Sequence, residues 1–146
     1  MGSPTIRPIV VAVLRRGDDL LVFRGHDPVT GAEFYRPLGG AIEFGEHAEH
    51  ALHREMREEL GVGVASTRLL GVLENVFEHG EQAGHEIVFV FDTVLQDRSF
   101  SAREHPGRIL DEGSPVVWQP RTRFARGEAR LHPDGLLRLL AEDETR

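Results

Sequence analysis

Cysteine is absent from this 146-residue chain. That excludes disulfides, thiolate metal sites and cysteine nucleophiles, and it leads us to expect a cytoplasmic protein. Lysine is absent as well, so arginine supplies all the basic charge. No apolar run approaches the length of a membrane span, so no membrane partner is expected. The first residues, MGSPTIRP, lack the basic-then-apolar layout of a signal peptide. Internal repeats, low-complexity tracts and linkers are also missing, which leaves residues 1–146 as one expected domain. Basic charge is scarce: 24 acids face 17 arginines, for a net charge of -7. Such a chain is a poor sequence-independent binder of nucleic acid. A small phosphorylated partner remains compatible where metal ions neutralise the contact.

What is present is enough for a real core. Hydrophobic residues make up 40% of the chain and charged residues 28%, the balance of a soluble globular domain. Pro8 to Leu14 (PIVVAVL) is apolar and β-branched, as a buried strand should be. The turn signal Arg16-Gly17-Asp18-Asp19 then leads into Leu20 to Arg24, and the two strands are expected to form a hairpin. A polar loop, Gly25 to Glu33, precedes the extended stretch Phe34 to Leu38. Further on, Arg68 to Val76 and Glu86 to Leu95 read as a second hairpin. Gln96 to Gly107 reads as irregular, Pro115 to Trp118 as a short strand, and Gln119 to Leu131 as a basic loop. His132 to Gly135 opens a final helix with Leu136, Leu137, Leu139 and Leu140 packed inward. Two hairpins and two helices imply an α/β fold, with a mixed sheet between helices.

The most informative stretch is Gly40 to Val62, GAIEFGEHAEHALHREMREELGV. A helix is expected from Glu46 or His47 to Leu60, stopped by Gly61 in the left-handed position that ends many helices. Ala48, Leu52, Met56 and Leu60 form one apolar stripe at i, i+4 spacing. Glu55, Glu58 and Glu59 fall at i, i+3, i+4 on a neighbouring stripe. Like charges so placed destabilise a bare helix. A compensating cation is expected, and clustered carboxylates are hard oxygen ligands suited to Mg²⁺ or Mn²⁺. Divalent ions could bridge diphosphate oxygens, orient a water and lower its pKa.

These residues resemble the Nudix box, G-x5-E-x7-R-E-U-x-E-E-x-G-U with U aliphatic. Gly40, Glu46, Arg54, Glu55, Met56, Glu58, Glu59, Gly61 and Val62 fill every fixed position. The resemblance implies a Nudix-like α/β/α sandwich and hydrolysis of a pyrophosphate bond in a nucleoside diphosphate linked to another moiety. It further implies that Glu55, Glu58 and Glu59 ligate Mg²⁺ or Mn²⁺, joined by the Gly39 carbonyl. Glu46 and Arg54 would pair to hold the loop-helix geometry. The general base is either a box glutamate or a glutamate beyond the second hairpin. Glu112 is the best match for the latter, with Asp111 and Glu104 as competitors. Family members are often dimers, so a homodimer is compatible.

Other residues carry two readings each. Arg36 would grip a substrate phosphate or join a surface ion pair. Tyr35 and Phe34 would stack on a base, with at least one of them in the core. His47, His50 and His53 are expected to face water, away from the acids. The arginines at 121, 123, 126 and 130 would attract an anionic substrate or simply be solvated. Trp118 is expected in the core. Two other functions fit the same residues: a non-catalytic nucleotide or sugar-nucleotide binding module, and an RNA 5′-end pyrophosphohydrolase. A binding module typically has eroded box acids, and here they are intact.

Overall fold

A computed structural model of the chain describes residues 4–79, 82–110 and 112–145. Its centre is β1 (Arg7–Val13). From Ile9 onward every residue of that strand is buried, as a near-continuous apolar run demands when both faces of a sheet are covered. Alternation divides them. Val10 and Ala12 join one core cluster with Ala51, Leu52 and Met56. Ile9, Val11 and Val13 join a second with Leu136 and Leu140.

The remaining elements are β2 (Arg15–Arg16), β3 (Asp19–His26), β4 (Glu33–Arg36), β5 (Gly39–Ala41), α1 (Ala48–Leu60), β6 (Val64–His79) and β7 (Gln82–Leu95). A 3₁₀ turn (Arg98–Ala102), β8 (Gly107–Arg108), β9 (Pro115–Pro120), α2 (Arg121–Ala125) and α3 (Leu136–Glu144) follow. One sheet runs β5-β1-β7-β6, with β1 parallel to β7 and the other pairs antiparallel. Its faces carry α1 and α3, which gives the expected helix–sheet–helix layering. The second sheet is antiparallel: β9 lies along one edge of β3, and β2 and β4 share the other.

The hairpin expected from the first two strands is therefore smaller than the sequence suggests. Only Arg15 and Arg16 pair back onto β3, helped by the Leu21 N–H to Leu14 carbonyl bond at 3.0 Å. The body of β1 belongs to the other sheet. The β6–β7 hairpin is as expected but longer, pairing from Val64↔Leu95 to His79↔Gln82. The basic stretch after Trp118 is not all loop, because Arg121–Ala125 is helical and buries Phe124.

Helix α1 begins after His47 and ends at Gly61, whose φ is +68°. The Gly61 N–H donates to the Arg57 carbonyl at 2.9 Å. Leu52 and Met56 are fully buried, joined by Ala51, while Ala48 and Leu60 are partly buried. The final helix buries Leu136 and Leu140, with Leu137 and Leu139 at the margin.

Candidate active site

The acids of α1 meet a tight glycine turn. At Gly39, a Cβ would lie 1.9 Å from the Val10 carbonyl oxygen; at Gly40, it would lie 2.5 Å from the Glu55 carboxyl carbon. Only glycine lets β5 pass between β1 and the helix. The Gly39 N–H donates to Glu59 Oε1 at 2.8 Å, and Glu59 is buried. Glu55 is largely covered, whereas the Glu58 side chain is 52% exposed. The box acids thus span from the protein interior to solvent over one helical turn.

Arg54 is the counter-charge. Its Nε and Nη2 donate to the two oxygens of Glu46, both at 2.8 Å, in a bidentate fork. Nη2 also donates to the Ala41 carbonyl at 2.9 Å, tying the helix to β5. Nη1 lies 3.0 Å from Glu55 Oε1 and 3.3 Å from Glu58 Oε2. The Arg54 bond, followed by the backbone bond at Glu43, lowers the Glu46 pKa to about 2. Glu46 in turn raises that of Arg54. The positioning pair expected from the sequence is present, together with the Ala41 contact, which the spacing does not show.

Among the described residues, no three acids or histidines stand together at metal-ligand spacing. Arg54 Nη1 lies between Glu55 and Glu58, and Glu59 accepts from the Gly39 N–H. The donor types nonetheless suit a hard divalent cation: three carboxylates within one helical turn, one of them exposed, beside a backbone turn. His47 and His50 are exposed, as expected. His50 and His53 border an open depression with Glu49, Arg54 and Arg57, so these two histidines lie beside the arginine that holds the box acids and not on the far side of the helix from them.

Glu112 is exposed, and its Oε1 accepts from the Ser114 N–H at 2.9 Å, within its own turn. That loop is fastened to the helix, since the Leu110 N–H donates to the Glu59 carbonyl at 2.9 Å. Glu104 instead lies 3.7 Å from Arg16, and Asp111 falls outside the described residues. The expected role of Tyr35 needs correction. It is 6% exposed, packs edge-on against Phe124, and accepts a bond from Arg123 at 3.2 Å. A ring so enclosed is not available to stack on a base. Alternation along β4 turns Phe34 and Arg36 the other way, and Arg36 lies over the Phe23 ring at 5.7 Å. Arg121 pairs with Glu144, so that arginine is structural. Trp118 is only half-buried. Its Nε1–H donates to the Arg103 carbonyl at 2.9 Å, and Arg16 covers its ring.

Fold and site match a class of α/β/α hydrolase with an acid-bearing helix beside a glycine turn. The NUDIX domain profile matches residues 5–140, and the chain belongs to the Nudix hydrolase family. Members generally use divalent metal cations and act on nucleotide substrates. The chain is 36% identical over 110 residues to the NAD-capped RNA hydrolase NudC of Pseudomonas putida strain W619, covering 70% of this chain. The corresponding protein of Pseudomonas fluorescens strain Pf0-1 is 34% identical over 110 residues. The matched region spans 39% of the length of these curated relatives. Among solved structures, a NUDIX hydrolase from Nitrosomonas europaea aligns with a TM-score of 0.65 at 20% identity, covering 97% of this chain and 90% of that one. The E. coli ORF135 protein aligns at 0.60 and 21%, covering 99% and 93%. These two likenesses bear on the fold alone. Among the described residues, no helix is long and apolar enough to cross a membrane.

Proposed function

We propose that the chain hydrolyses the pyrophosphate bond of a nucleoside diphosphate linked to another moiety, using Mg²⁺ or Mn²⁺. The observation that carries this reading is the set of box acids on α1: Arg54 bonds Glu55 and Glu58, and the Gly39 N–H bonds Glu59. Glu55, Glu58, Glu59 and the Gly39 carbonyl would hold the cation, which supplies charge neutralisation to the diphosphate and acidifies a bound water. Glu46 and Arg54 act as positioning residues: their fork fixes the loop before α1 against the helix. Glu58, the most exposed box acid, holds only a 3.3 Å contact with Arg54 and is our choice for proton transfer from water, with one carboxylate oxygen toward the cation and the other toward the water. Glu112, on the loop fastened to the Glu59 carbonyl, is the alternative base.

A second reading is favoured by the relatives. Their NAD-capped RNA hydrolase name brings in a substrate with the same bond, a pyrophosphate bridging two nucleosides, at an RNA end. The net charge of -7 favours the small dinucleotide over the RNA. The test is to incubate the protein with Mg²⁺ or Mn²⁺ and a panel: nucleoside triphosphates, nucleotide sugars, NAD, and RNA bearing a 5′-NAD or 5′-triphosphate end. Chromatography then identifies the products. Release of nucleoside monophosphate from a small substrate is expected. Turnover of the capped RNA alone would establish the second reading. Binding without turnover of any member, metal present, would make the chain a binding module.

A further inference from the structure

The hairpin β3–β4 has one face that the acid helix does not account for. Phe23 is opposite Arg36, and Gly25 is opposite Phe34. Phe23 packs against the same core cluster as Leu52 and Met56 of α1, so this face looks to the side of the sheet where the acids lie. The Arg36 guanidinium rests on Phe23 at 5.7 Å and forms no ion pair among the described residues. The tip of the Phe34 ring lies over Gly25, where a Cβ would fall 2.5 Å from Cζ. The ring of His132 meets it edge-on at 4.8 Å. Phe34, Arg36 and His132 are all partly exposed. Arg36 precedes Gly39, whose N–H bonds Glu59, by three residues. That is at most about 11 Å of extended chain.

We propose that Phe34 and His132 form the platform that receives the base of a nucleotide, and that Arg36, held on Phe23, receives its phosphate. The proposal rests on the nucleotide reading given above. A planar, charge-bearing fork on an aromatic ring is pre-organised for bidentate phosphate contact. Two partly exposed aromatic rings at 76° to one another form a corner against which a base can stack, with little sequence preference. Separating the two contacts along β4 gives the ligand a direction: phosphate toward the Gly39 turn and the acids, base away from them. A nucleoside diphosphate is the ligand class that has both ends.

The test is calorimetric titration in Mg²⁺ buffer with two non-hydrolysable probes: α,β-methylene-ADP and its base-free counterpart, methylenediphosphonate. Wild type should bind the nucleotide more tightly. Phe34→Leu and His132→Gln should each weaken methylene-ADP binding by about tenfold, the loss expected of a stacking platform, and leave methylenediphosphonate unchanged. Arg36→Gln should weaken both probes. Thermal melts confirm that each variant is folded, and three separate variants keep the test intact if one is not. The proposal is overturned if folded variants bind methylene-ADP as wild type does, or if wild type binds both probes equally. Hydrolysis is assayed separately. A wild type that binds without turnover refutes the proposed reaction and spares the platform. Turnover unaffected by all three variants, with unchanged binding, refutes the platform and spares the reaction.

Discussion

Glu46 stays ionised far into acid because the Arg54 fork grips both its oxygens. Its folded pKa of about 2 lies below the ordinary 4.5. The stabilisation is therefore complete above about pH 4.5 and is lost as pH falls toward 2. Thermal melts of wild type and Glu46→Gln should differ at pH 7, and the gap should close between those two pH values. A constant gap would show that the fork is not what stabilises the loop. Gly40→Ala acts on the same cluster by steric means. Its Cβ would meet the Glu55 carboxyl group at 2.5 Å, so Glu55 must leave its position. Activity should fall by about tenfold or more while circular dichroism stays native. Full activity would mean that the location of Glu55 is immaterial. At this scale the sequence was readable where the motif pairs charges: Arg54 meets Glu46, Glu55 and Glu58 as their spacing suggests, whereas the three acids do not stand together at metal-ligand spacing. Tyr35 was not readable, because Phe34 and Tyr35 are both aromatic neighbours on one strand. Which of them is enclosed depends on Phe124 and Arg123, far along the chain.

Among the elements, α3 depends on two kinds of contact. Leu136 and Leu140 are buried against the central sheet. At its far end, Asp143 accepts from Arg68 at 2.7 and 3.1 Å and from Arg15 at 3.4 Å, and Asp92 shares both arginines. Apolar burial should dominate, since ion pairs still reached by solvent, as these partly exposed ones are, contribute little. Leu140→Ala should cost about 2–5 kcal/mol by denaturant unfolding. Asp143→Asn should cost less, and the reverse order would make the ion network the main anchor. Helices α1 and α3 and the β6–β7 hairpin were legible because their signals are local. The partition of β1 and β3 into different sheets was not. It is decided by pairs such as Ile9↔Val88 and Leu21↔Trp118, and no turn residue encodes which sheet a strand joins. The short helix Arg121–Ala125 was hidden by its basic composition, and only the burial of Phe124 accounts for it.

The molecule as a whole is acidic, with a net charge of -7, yet the proposed substrate is a polyanion. Divalent cations bound at the acids of α1 would reconcile the two, and ligation to the folded state alone would then stabilise it. Millimolar Mg²⁺ should raise the melting temperature of wild type, EDTA should abolish the rise, and Glu58→Gln should blunt it. No shift with any divalent cation would count against metal binding at α1. The most direct test of hydrolysis is the turnover rate of wild type and Glu58→Gln on the best substrate of the panel, with melting temperatures recorded in EDTA. Wild type should release nucleoside monophosphate only with Mg²⁺ or Mn²⁺ present. Glu58→Gln should lose at least about 100-fold in rate, within the range for a positioned acid or base, while melting as wild type does. A folded Glu58→Gln protein that retains wild-type turnover would contradict the role assigned to the helix.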